Sequence, residues 1–90
     1  MSNIVAMAKS LLDDAVRINL DTKAGADLYD IRKRILGVFI DAQVYAVHLR
    51  LVECTGVLTP EDEQDLLLLH SDAIFLADDT KKAVIDRARF

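Results

Sequence analysis

An all-α fold, a small bundle of three helices, is what this sequence predicts, and three observations predict it. Apolar residues recur at three- and four-residue spacing through most of the chain. Glycine occurs three times and proline once, so little interrupts long helices. No stretch alternates apolar with polar residues as a half-buried strand does. Ninety residues make one domain, 1–90, short enough for surface-to-volume geometry to limit its core. The apolar share is 52% even without glycine, above the usual range, so self-association is expected, with a homodimer favoured.

Helix one is expected over about Asn3 to Leu20, with Ser2 or Asn3 as its cap. Ile4, Val5, Ala8, Leu11, Leu12, Ala15, Val16 and Ile18 make a wide apolar face opposite Lys9, Ser10, Asp13 and Arg17. The connection runs from Asp21 to Asp27. Gly25 supplies the left-handed conformation that closes a helix, and Asp27 caps the next one, with Asp21 as the rival cap.

Helix two, from Asp27 to about Cys54, is the most informative segment because it carries two apolar faces. Leu28, Ile31, Ile35, Val38, Phe39, Ala42, Ala46 and Leu49 fall on one side; Leu36, Ile40, Val44, Val47, Leu51 and Cys54 fall on another. Asp30, Arg34, Asp41 and His48 divide them along one seam, and Arg32, Gln43 and Arg50 along the other. Such a helix needs cover from two directions, and a second subunit can supply one of them. Its length is about 40 Å. Gly37 inside it costs about 1 kcal/mol relative to alanine; close approach of a crossing helix would justify it, and simple tolerance within a stable bundle is the alternative.

Thr55-Gly56 ends helix two, and Thr59-Pro60 starts helix three with a capping hydroxyl and a proline at the first helical position. The two long helices are expected to run antiparallel across that turn. Helix three covers about Pro60 to Ala77 and continues towards Arg87, straight or slightly kinked; a break at Asp78-Asp79-Thr80 would make a fourth helix. Leu66, Leu69, Ala73, Leu76 and Val84 share its core face, widened by Leu67, Ile74 and Ile85. Glu61, Asp62, Glu63 and Asp65 lie at the positive end of its dipole, and Lys81, Lys82 and Arg87 near the negative end.

The net charge is −4, and all of the excess falls in residues 46–90. Eight acidic residues and no Lys or Arg lie between Glu53 and Asp79, half of them explained by the start of helix three. An acidic block repels phosphate backbones, so nucleic-acid binding is disfavoured and a protein partner with a basic surface is favoured. Arg32-Lys33-Arg34 points three ways around its helix and makes no groove-facing stripe. No membrane span is expected, since Asp41, His48 and Arg50 interrupt the longest apolar region. A single cysteine and no visible secretory signal, Ile4 to Leu20 being broken by charge, fit the cytoplasm.

Tests for chemistry point away from an enzyme. His48 and Cys54 are six apart and diverge, and no Glu-x-x-His or His-x-x-x-His pair occurs, so neither metal nor cofactor is expected. Cys54 at a helix C-terminus lacks a converging base, and reads as a buried or half-buried small apolar residue. The carboxylates of Glu61, Asp62, Glu63 and Asp65 lack the second acidic helix that a magnesium pyrophosphohydrolase uses.

Leu68 and Phe75 remain. Seven apart, they stack on the side of helix three shared with Asp72 and Asp79, an apolar pair rimmed by carboxylates, which suits a protein-contact patch or, alternatively, packing on helix one or on a twofold mate. The expected function is a non-enzymatic module that self-associates and binds or inhibits a protein through this face. It resembles small regulators, secretion chaperones and phage-encoded inhibitors in general character, with no shared motif. The alternative is an oligomer that holds a small anion where Arg32, Gln43 and Arg50 meet a symmetry mate.

Overall fold

The computed structural model describes residues 2–88, and side chains from residue 3. Three helices account for nearly all of it: α1 (Ser2–Lys23), α2 (Leu28–Thr55) and α3 (Pro60–Ala88). Each packs on the other two, and α1 packs most extensively on α3. The result is a rod of 50 × 18 × 18 Å.

Local chemistry sets the helix ends. α1 runs three residues beyond its expected end, because Thr22 Oγ1 donates to the Ile18 carbonyl (2.8 Å) and the closing motif sits at Gly25. With φ +92° there, Gly25 N–H donates to Thr22 O (3.1 Å) and Ala26 N–H to Asp21 O (3.0 Å). That pair of bonds is the Schellman closure. Asp21 therefore lies inside α1, and Asp27 is the cap of α2, its carboxylate accepting from Asp30 N–H at 3.1 Å. Ser2 and Asn3 are likewise already helical, so neither precedes α1 as a cap; position 1 lies outside the described residues.

Gly56 closes α2 in the left-handed region (φ +72°), donating to Glu53 O at 3.2 Å. Thr59 Oγ1 accepts from Asp62 N–H at 3.1 Å, and α3 begins at Pro60 as expected. It then continues unbroken to Ala88, so the fourth helix does not form. The reason is visible at Thr80. Its hydroxyl donates back to Leu76 O (2.8 Å) and accepts from Asn19 Nδ2 (2.9 Å), which turns a potential breaker into a buried tie.

The core is a single apolar column. Ile4, Ala8, Leu11, Ala15 and Ile18 come from α1; Ile31, Ile35, Val38, Ala42 and Leu49 from α2; Leu66, Ala73, Ala77 and Val84 from α3. Leu58 plugs the end at the second turn. At the other end Arg87 donates to Thr22 O (3.3 Å) and Ala26 O (3.2 Å), pinning the last turn of α3 to the first connection. Arg34 reaches back to Asp21 (2.9 Å) and Asp30 (3.7 Å).

Four expectations need correction. The first is cover for both faces of α2: α1 and α3 cover only one of them. In a triangular bundle each helix turns a single sector inward, so the opposite sector has nothing from its own chain against it. Gly37 marks no close helix approach within the chain, since a Cβ built there meets no atom within 4 Å, which leaves tolerance of the glycine inside the bundle as the intrachain reading. Ala46 is exposed despite its place on the inward list, as are Val16 of α1 and Leu67 and Ile85 of α3. Cys54 also faces solvent rather than the core.

Candidate functional site

The exposed face of α2 is a continuous apolar strip. Leu36, Ile40, Val47 and Leu51 are 60–61% exposed and Val44 is 46% exposed. A lone exposed leucine is ordinary, but five large aliphatics along one helix face form a patch of the kind that marks a contact surface. Cys54 extends the strip at one end. At the other, the Lys33 ammonium lies 5.0 Å from the centre of the exposed Tyr29 ring.

A second patch lies on α3, facing away from the core. Phe75 is 72% exposed and Leu68 is 52% exposed, so neither is taken up by α1. Asp72 and Asp79 stand beside them, also exposed. Asp79 is partly engaged, because its Oδ2 accepts from Asn19 Nδ2 at 3.2 Å. Asp72 makes no side-chain hydrogen bond or ion pair with another described residue, which leaves its charge available to a basic partner.

The three residues assigned to an anion seam do not converge within the chain. Arg32 and Arg50 are eighteen residues apart on one helix, about 27 Å. Arg32 lines a cleft of about 450 Å³ between α2 and α3, with Lys81 on the other bank and Phe39, Val84 and Ile85 along it. Arg50 lines a separate shallow groove with Ala46, Val47 and Leu51. Gln43, like both arginines, is exposed.

Sequence reasoning missed a buried polar layer. Tyr45 is 1% exposed, and its hydroxyl donates to Leu66 O at 2.7 Å. Desolvation by burial raises the phenol above its ordinary pKa of 10.0. Its ring stacks on His70, with centroids 5.6 Å apart and an interplanar angle of 16°. The available signal was position: Tyr45 lies three residues after Ala42 and four before Leu49, on the inward face. Asn19, Thr22 and Thr80 were missed for the same reason, being polar residues at apolar register.

Among the described residues no three His, Cys, Asp or Glu side chains are grouped closely enough to hold a metal ion. The clefts along α1 and α2 are open grooves of about 330 Å³, edged by Asp14, Arg17, Arg34 and Asp41 in one and by Met7, Ser10 and Val44 in another. By length and composition α2 is apolar enough to cross a membrane, a test that a helix with one face in a protein core also passes. Comparison with protein-family models, curated proteins and solved structures found no match.

Proposed function

We propose that this chain is a small non-enzymatic interaction module of the cytoplasm, which self-associates through the outer face of α2 and captures or inhibits a protein partner through the Leu68–Phe75 face of α3. The observation that carries the reading is the apolar strip of Leu36, Ile40, Val44, Val47 and Leu51, left uncovered in the single chain. Burying an aliphatic that is already half-covered contributes roughly 1 kcal/mol. Five from each of two copies therefore supply on the order of 10 kcal/mol gross, comparable to the cost of association.

The scaffold in this reading is an antiparallel pair of long helices, α2 and α3, buttressed by α1. Its support is that Tyr45 bonds to Leu66 near the start of α3, whereas Arg32 and Leu36 share a cleft with Lys81 and Ile85 near its end. The partner face combines an aromatic anchor with a carboxylate rim, an arrangement suited to a basic surface. An unpaired, exposed Cys54 fits a reducing compartment.

Mass in solution tests the self-association. Light scattering across a concentration series is expected to give twice the chain mass for the native protein. Val47→Asp is expected to give the single-chain mass with unchanged helical circular dichroism. A native protein that stays monomeric at high concentration would overturn the reading.

A further inference from the structure

The uncovered face of α2 carries a repeat of its own. Gly37, Ile40, Val44, Val47, Leu51 and Cys54 follow one another at alternating intervals of three and four residues, the spacing of a coiled-coil seam. Gly37, Val44 and Leu51 take one of the two inward heptad positions, and Ile40, Val47 and Cys54 take the other. Asp41 and His48 flank the seam on one side, and Gln43 and Arg50 flank it on the other. All four flanking residues are exposed.

We infer that a second copy of this chain closes the seam, with the two α2 helices packed antiparallel about a twofold axis that passes between Tyr45 and Ala46. The inference rests on the self-association proposed above and adds orientation and register to it. In this register Val44 meets the partner subunit's Val47, Ile40 meets the partner subunit's Leu51, and Gly37 meets the partner subunit's Cys54. Every layer joins one inward position to the other, and every layer is apolar or small. The same register sets Asp41 against the partner subunit's His48, whose imidazole N–H donates to the carboxylate. It sets Gln43 against the partner subunit's Arg50, whose guanidinium donates to the amide oxygen. Because the contact is isologous, each pairing occurs twice.

Donor–acceptor complementarity along the flanks selects this orientation, each charged group, Asp41 and Arg50, facing a side chain that can hydrogen-bond to it. A parallel pair in register would set Leu36 beside the partner subunit's Asp41, a carboxylate against an aliphatic, and Gln43 beside the partner subunit's His48. The seam from Gly37 to Cys54, bounded by Lys33 on one side and by the close of α2 at Thr55 on the other, gives about 25 Å of contact.

Cross-linking through the native cysteine tests the register. Cys54 of one copy lies about 25 Å from the partner subunit's Cys54, so the native protein under mild oxidant is expected to form no covalent dimer. Gly37→Cys adds a side chain where there is open space, and is expected to convert most of the protein into a covalent dimer. Peptide mapping should find the bond between positions 37 and 54 of different copies. Charge exchange is a second measure: His48→Glu is expected to weaken dimerisation at least tenfold, and adding Asp41→Lys to restore it. A native 54–54 bond, a 37–37 bond, or dimers by light scattering without the 37–54 bond would overturn the register and leave self-association standing. Monomers at all concentrations would overturn both. So would folded monomers that float with phosphatidylcholine vesicles, which would give the strip to a lipid surface.

Discussion

Asn19 of α1 donates its side-chain amide to the hydroxyl of Thr80 in α3, 2.9 Å away across a buried contact. The two residues are sixty-one apart in the chain, and Thr80 is completely buried. The same amide also donates to Asp79 at 3.2 Å, and Thr80 donates in turn to Leu76 O, so the group is satisfied internally. It ties α1 to α3 by polar side chains inside the core. It fixes the axial position of one helix against the other, because a shift by a turn would leave an amide and a hydroxyl buried without partners. Thr80→Val keeps the shape and removes the acceptor. It is expected to cost about 1 kcal/mol, read as a lower urea midpoint at unchanged slope.

Tyr45→Phe removes the hydroxyl that donates to Leu66 O and is expected to cost about 1 kcal/mol in the same measurement. Alkaline pH supplies an independent check. Burial raises the folded-state pKa of Tyr45 above 10.0, so the unfolded chain ionises first. The contribution of the buried neutral phenol is full below pH 10 and is lost as pH climbs from there through the raised folded value. Thermal melts above pH 10 should decline more steeply for the native protein than for Tyr45→Phe; parallel declines would count against this account.

Gly37→Ala is expected to stabilise the fold by about 0.5–1 kcal/mol, since the added methyl meets no atom within 4 Å in the chain and the backbone there is helical. Differential scanning calorimetry under matched conditions would measure the rise in Tm. A fall would indicate a contact at that position that the single chain does not contain.

Phe75→Asp is expected to leave helicity, Tm and solution mass within error, because the ring is 72% exposed. Once a partner is in hand, the same substitution should weaken its capture at least tenfold. Undiminished capture would remove α3 from the interaction, whereas a collapse of solution mass would assign Phe75 to the contact between copies.

The parts of this fold legible in the sequence are those fixed by local chemistry. Asp27, Thr59, Gly25 and Gly56 could be placed because a cap or a closing glycine depends on a few neighbouring backbone groups. Helix one ended later than expected because Thr22 satisfies itself on Ile18, so a polar residue there does not end the helix. The inward register of Ile31, Ile35, Val38, Ala42 and Leu49 followed from periodicity. What periodicity does not specify is how many helices arrive to cover a face, and α2 therefore looked as though it lay between two layers. Polar residues at core register were passed over because their hydrogen-bond partners, Asn19 for Thr80 and Leu66 for Tyr45, lie far away in the chain. That Leu68 and Phe75 lie off the core was legible for the opposite reason: they fall outside the inward register of helix three.

Because α1 rests more on α3 than on α2, the bundle has an order of assembly written into it. During synthesis the first helix leaves the ribosome long before the one that shelters it most, and the intervening α2 arrives greasy along both flanks. A nascent chain halted ahead of Pro60 would display the inner column and the outer strip together. Such an intermediate is a natural client for a chaperone, and its hazard ends only when the final third of the chain swings in and Arg87 latches onto the first turn.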